Sequence, residues 1–102
     1  MSKSLLSLCL CGLIWTTPLR ADVPDIAVDI APVHSLVARV MQGVGQPELI
    51  LPAGSSPHMH ALRPSEARAI QRADLVIWIG PALTPWLPDT LAKLAPSAQT
   101  LH

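Results

Sequence analysis

The chain has 102 residues, which suffices for one small domain and excludes a two-domain protein unless the sequence is part of something longer. Half of the residues are apolar and 14% are charged, which excludes a charge-driven disordered tail. Seven Lys and Arg balance seven Asp and Glu, so nothing indicates a basic surface for nucleic acid or for an anionic membrane.

Residues 1–21 have the pattern of a secretory signal peptide. Lys3 gives a positive start, residues 5–15 form an apolar run, and Ala21 is a small residue at a plausible cleavage point. The run is about half of the roughly 20 residues that a membrane-spanning helix needs. Cleavage after Ala21 would remove both cysteines of the chain, so we expect an exported protein without disulfides and without a span after leader removal.

The remaining residues predict three strands that alternate with three helices. Short apolar runs predict the strands at residues 26–30, 48–51 and 75–79. The helices are predicted from Pro32 to the stop at Gly43, from Pro64 to about Ala73, and over 83–95. Apolar residues three and four apart predict one buried face of the first helix, made of Val33, Leu36, Val37, Val40, Met41 and Val44.

This order of elements predicts the α/β class, with a short parallel sheet flanked by helices in three layers. The run at 75–79 is apolar on both faces and belongs in the middle of the sheet. Three strands would leave exposed edges and a small core. We therefore expect residues 22–102 to be an incomplete, truncated lobe of a larger α/β protein, or a shortened member of such a family.

Two histidines in the loop after the second strand are candidate metal ligands. Ligands bind at the carboxyl ends of the strands in open parallel sheets, and this loop carries His58 and His60. Two imidazoles separated by one residue lie on the same side of an extended chain, and neutral imidazole binds zinc, copper and nickel. Because a closed tetrahedral site needs about four ligands, others must come from elsewhere. The alternative is a solvent-exposed loop that happens to contain two histidines.

Other chemistry-bearing residues have simpler interpretations. His34 lies beside the predicted buried face and reads as a structural histidine. Asp29 ends the first strand and could face the site, although a solvated or helix-capping role is favoured. Trp78 and Trp86 lie in apolar segments and read as core or packing residues. The sequence lacks a glycine-rich phosphate loop between strand and helix and a nucleophile with a positioned base.

Four segments of the chain resemble one protein family. They are residues 29–36 (DIAPVHSL), 49–58 (LILPAGSSPH), 62–66 (LRPSE) and 73–81 (ADLVIWIGP). They resemble the N-terminal lobe of periplasmic zinc-binding proteins, the solute-binding components of bacterial zinc ABC importers within the wider zinc/manganese-type family. The resemblance runs from about residue 26 to 94, in the same order and with the same spacings.

The resemblance implies a metal-binding role for His58, the family's first ligand. Members bind the ion in a cleft between two α/β lobes joined by a long helix, and deliver it to a permease in the inner membrane. The family's further ligands, usually two more His and often an acidic residue, come from later segments. Family members commonly have an acidic residue and then Tyr after the first ligand, where this chain has Met59 and His60. His60 is either an added ligand or fills the aromatic position, and the second interpretation is favoured.

The functional prediction is therefore periplasmic capture of Zn²⁺ and its delivery to an ABC permease, with manganese not excluded and without catalysis. Binding should weaken in acid as His58 becomes protonated. One alternative is a fragment of a metal-dependent hydrolase that uses His58 and His60 as ligands, with Glu66 the nearest candidate general base. Another is a truncated relative that binds little.

Overall fold

Four short strands form one parallel sheet in the computed structural model, which describes residues 22–102. In chain order the elements are β1 (Ile26–Val28), α1 (Ala31–Val40), β2 (Glu48–Leu49), α2 (Pro64–Arg72), β3 (Leu75–Ile77), α3 (Leu87–Leu94) and β4 (Gln99–Leu101). The sheet order is β2-β1-β3-β4. The predicted α/β class is confirmed, and the predicted signal peptide lies outside the described residues. No helix within residues 22–102 is both long enough and apolar enough to cross a membrane.

The main core lies between the sheet and the pair α2 and α3. Its buried members are Ala27, Ile50, Ile70, Val76, Trp78, Leu87, Leu91 and Ala95. Val28 follows Ala27 in β1 and is also fully buried, so it faces the opposite side of the sheet. There α1 contacts β1 and β2. The sheet therefore has α1 on one face and α2 with α3 on the other, which gives the three predicted layers.

The prediction that α1 has a buried apolar face is largely wrong. No residue of α1 is buried, and of the six residues predicted to form this face only Met41, just beyond the end of the helix, is buried. Leu36, Val40 and Val44 are 66%, 85% and 63% exposed. Leu36 and Val40 are four apart on a face of α1 that points away from the sheet, and Val44 lies in the turn after the helix. The periodicity correctly predicted a helix, but among the described elements α1 makes its main contacts with β1 and β2 alone, so this face stays uncovered.

Two element boundaries also differ from the prediction. α3 begins at Leu87, because residues 81–83 form a turn and Pro88 fits only within the first turn of a helix. Gly80 has φ 131°, a conformation that suits glycine, and it lets the chain turn directly after β3. β4 was not predicted, since its three residues are all exposed at the sheet edge and show no alternation of apolar and polar residues.

Asp29, the residue after β1, ties the strand ends together. Its side chain is fully buried, so of the two roles favoured for it, solvated or helix-capping, the solvated one is wrong. Oδ1 accepts the Ile30 N–H at 2.7 Å and Oδ2 accepts the Ile79 N–H at 2.9 Å. Its backbone carbonyl accepts the Leu51 N–H at 3.0 Å. One residue therefore connects the segments that follow β1, β2 and β3 at the carboxyl edge of the sheet.

Replacing this carboxylate should destabilise the fold. Asp29→Ala leaves the N–H groups of Ile30 and Ile79 without their acceptors, at a cost of about 1–3 kcal/mol for each group that stays buried and unpaired. Urea unfolding monitored by circular dichroism measures the change. Asp89→Ala is the control, because Asp89 is an exposed carboxylate in the first turn of α3 and should cost only about 0.5 kcal/mol. Equal losses in the two variants would contradict the bridging role of Asp29.

Candidate functional site

The loop between β2 and α2 carries His58 at the carboxyl edge of the sheet. Ile50 and Leu51 at its start are buried, whereas His58 and Met59 are exposed. Within residues 22–102, no side-chain hydrogen bond joins the His58 ring to another group. The ring can therefore bind a ligand that approaches from solvent through the nitrogen that carries no proton.

His60, two residues further on, is held by Glu66. Its Nε2 lies 2.7 Å from Oε2 of Glu66, and its side chain is only 11% exposed. The ring centroid of His60 lies 6.0 Å from that of Trp86, with the planes tilted by 45°. Because Nε2 is engaged by the carboxylate, a metal ion could reach His60 only through Nδ1. The ring of His60 thus has both a hydrogen-bond partner and an aromatic neighbour.

Glu66 organises the start of α2 as well as the loop. It is the third helical residue, is 6% exposed, and its Oε2 also accepts the Arg63 N–H at 3.0 Å. Burial alone raises the pKa of Glu66, but the hydrogen bonds from Arg63 and His60 and the charges of these two residues together lower the pKa below its ordinary value. Oε1 is buried and has no hydrogen-bond partner within residues 22–102.

Trp86 joins the same loop from α3. It is the residue that precedes the helix, and its Nε1–H donates to the carbonyl of Pro57 at 2.7 Å. The sequence suggested only a packing role, because Trp86 has apolar neighbours and the indole N–H leaves no mark in hydrophobic periodicity. Trp78 does lie in the core as predicted, with its Nε1 buried and without a partner in the described part of the chain.

The other histidines lie apart from this loop's bonding network. His34 forms a hydrogen bond from Nε2 to the carbonyl of Pro47 at 2.9 Å, which agrees with the predicted structural role. The ring of His102 lies 5.4 Å from that of Trp78. No group of three or more His, Cys, Asp or Glu residues within 22–102 is arranged to hold a metal ion. This lobe by itself therefore offers fewer donors than a closed site needs.

The hydrolase alternative depends on a general base near the two histidines. Glu66 was the candidate, but its Oε2 accepts two hydrogen bonds and its Oε1 is enclosed by protein. A general base must reach a water molecule directly or through one other water. What the arrangement can do is present one free imidazole, on a loop held from two helices, to a soluble ion.

Comparison with protein families gives a match over residues 26–102 to the family described as zinc-uptake complex component A, periplasmic. A relative from Paracoccus denitrificans (strain Pd 1222), a high-affinity zinc uptake system protein ZnuA, is 49% identical over 84 residues. That alignment covers 82% of this chain and 26% of the relative. The chain thus spans about a quarter of the length of this curated relative.

Solved structures have the same fold. The periplasmic zinc-binding protein TroA from Treponema pallidum superposes with a TM-score of 0.68 at 20% identity, over 78% of this chain and 29% of that one. The Mn-bound periplasmic metal-binding protein from Candidatus Liberibacter asiaticus superposes with a TM-score of 0.65 at 15% identity, over 76% of this chain and 29% of that one. At these identities the likeness establishes the fold, and the matched part is a fraction of each two-lobe protein.

The lowered pKa of Glu66 predicts a loss of stability in acid. A carboxyl whose pKa is lower in the folded state stabilises the fold above its unfolded pKa of about 4.3, and this contribution is lost as the pH falls through the folded pKa. Glu66→Gln should cost about 1–3 kcal/mol at pH 7. It should also flatten the decline of unfolding free energy below about pH 4.3.

Urea unfolding at a series of pH values between neutral and acid tests this prediction. Glu48→Gln is the matched control, because the Glu48 carboxylate pairs with Arg72 at an exposed position and such pairs contribute about 0–1 kcal/mol. Parallel pH profiles for wild type and Glu66→Gln would rule out the stabilising role of the ionised Glu66.

Proposed function

We propose that this chain, which belongs to the family of periplasmic zinc-uptake complex component A proteins, captures Zn²⁺ in the periplasm for delivery to the permease of an ABC importer. In this proposal residues 22–102 form an N-terminal metal-binding lobe, and residues 1–21 are its signal peptide. The observation that carries the proposal is the family match over residues 26–102, combined with a free imidazole at the sheet edge where open α/β proteins bind ligands.

His58 is the proposed first ligand for the transported ion. It is exposed, and its ring forms no side-chain hydrogen bond within the described lobe, so binding would break no internal hydrogen bond of that ring. His60 would be a second ligand only through Nδ1, because its Nε2 is bonded to Glu66. Since residues 22–102 hold no cluster of three donors, the proposal requires further ligands from outside this lobe.

Zinc is the proposed cargo because of the ligand type. Neutral imidazole suits Zn²⁺, whereas Mn²⁺ prefers carboxylate and water and lies at the weak end of the affinity order of divalent metals. The curated relative from Paracoccus denitrificans is a zinc uptake protein, and the structural neighbour from Candidatus Liberibacter asiaticus was solved with Mn. Manganese therefore remains a second cargo to be compared in binding experiments.

The proposed role is binding without catalysis, since the family is one of transport components. An importer needs a site that takes up an ion and later releases it to the permease, so an accessible ligand is an advantage. Nothing in this role requires an activated water or a general base, and the enclosed Glu66 supplies neither.

Removal of the His58 imidazole should abolish most zinc binding by the lobe. Because residues 22–102 hold no cluster of three donors, their Zn²⁺ binding should be weak, and His58→Ala should remove it. Zinc titration of the full chain, followed by calorimetry and by NMR of the imidazole protons, measures this. A parallel titration with Mn²⁺ should give much weaker binding.

His102→Ala is the matched control, because His102 is exposed and lies against Trp78, outside the loop that carries His58. It should bind zinc like the wild type. Equal binding by wild type and His58→Ala would contradict the proposed ligand, and equal affinity for zinc and manganese would contradict the proposed selectivity.

A further inference from the structure

Trp86 makes contact with both ends of the short segment that contains His58. Its Nε1–H donates to the carbonyl of Pro57 at 2.7 Å, directly before His58 in the chain. Its ring packs beside that of His60, two residues after His58, at a centroid distance of 6.0 Å. One side chain from another element therefore holds both neighbours of the exposed imidazole.

The backbone of Trp86 is anchored in the packed part of the fold. It directly precedes α3, where Leu87 is fully buried and Leu91 is buried in the main core. The hydroxyl of Thr90 donates to the carbonyl oxygen of Trp86, with 3.0 Å between the two oxygens. The side chain of Trp86 packs against the core cluster. The anchor is thus part of the packed lobe, whereas the segment it holds is an irregular loop at the surface.

The bond to Pro57 acts on the backbone of His58 in a specific way. The carbonyl of Pro57 and the nitrogen and Cα of His58 lie in one rigid peptide plane. The proline ring also fixes φ at position 57. A donor that holds this carbonyl therefore fixes the plane from which His58 emerges, and leaves mainly its own φ and side-chain torsions free.

We infer that Trp86 is a positioning residue for His58. It holds the imidazole at the carboxyl edge of the sheet before the ion arrives. The inference rests on the proposed function, because it requires that His58 binds the metal. Without the indole N–H, the loop would sample more orientations and binding would have to select the competent one. The apparent affinity equals the intrinsic affinity multiplied by the fraction of molecules in the competent state.

The test removes the N–H and keeps an aromatic ring. Trp86→Phe should weaken Zn²⁺ binding by the full chain about tenfold, as for other groups that support a ligand. Amide hydrogen exchange of residues 57–60 should become faster in the metal-free protein. Trp78→Phe is the matched control, because the Nε1 of Trp78 has no partner within residues 22–102, and it should change neither measurement.

A closer isostere guards against a folding defect in Trp86→Phe. The replacement Trp86→3-benzothienylalanine exchanges the indole N–H for sulfur and keeps the size of the ring. It should reproduce the tenfold loss of zinc affinity while the urea midpoint stays near that of the wild type.

The outcomes separate the two ideas. If His58→Ala loses zinc binding and the sulfur isostere binds zinc like the wild type, the positioning inference is wrong and the proposed function stands. If His58→Ala binds zinc like the wild type, the proposed function itself fails. Unchanged hydrogen exchange of residues 57–60 in the sulfur isostere would also overturn the inference, because the loop would then not depend on this hydrogen bond.

Discussion

The buried carboxylate of Asp29 is the constraint on which the carboxyl edge of the sheet depends. A fully buried charge is stable only when hydrogen bonds replace water, and here two backbone N–H groups, from Ile30 and Ile79, supply them. Each of these groups belongs to a segment that has just left a strand. The buried carboxylate therefore depends on these two N–H groups as donors, and the N–H groups depend on the carboxylate as their acceptor. Loops that start from it begin at fixed points.

The loop that carries His58 illustrates what this fixed edge permits. The loop is irregular, yet it is held at its origin by the bond from Leu51 to Asp29 and near its end by Glu66, which caps α2. Between these two points Trp86 holds the carbonyl of Pro57. The three contacts come from β1, α2 and the start of α3, so the position of the imidazole reflects the packing of the whole lobe. A short sheet with a small core thus still holds this loop at three points.

The sequence predicted much of this fold because its strongest signals are local. The apolar run that contains β3, and Pro64 with Glu66 at the start of α2, each specify an element without reference to the rest of the chain. The exposed face of α1 could not be predicted, because periodicity identifies a helix face but not the neighbour that covers it. β4 has no apolar alternation, and its place depends on pairing with β3.

The site was predictable in part for the same reason. His58 was predicted as a ligand from its position after a strand and from the family resemblance, and it stays a prediction. The role of Trp86 depends on an N–H that meets a backbone carbonyl 29 residues away in the chain, which no local pattern records. Asp29 was read as solvated or helix-capping because carboxylates are mostly exposed, and its burial is made favourable by N–H groups that follow two strands, β1 and β3.

The two histidines of the loop, His58 and His60, differ in burial and in hydrogen bonding. The hydrogen bond to Glu66 requires a proton on Nε2 of His60, and burial surrounds that ring with protein. An ion that approached His60 would have to lose its water within a largely enclosed site, and it could bind only through Nδ1. His58 carries no such bond within the described lobe and faces solvent, so an ion can exchange one water for its imidazole directly. The same short segment thus holds one imidazole in a hydrogen bond within the fold and leaves the other exposed to solvent.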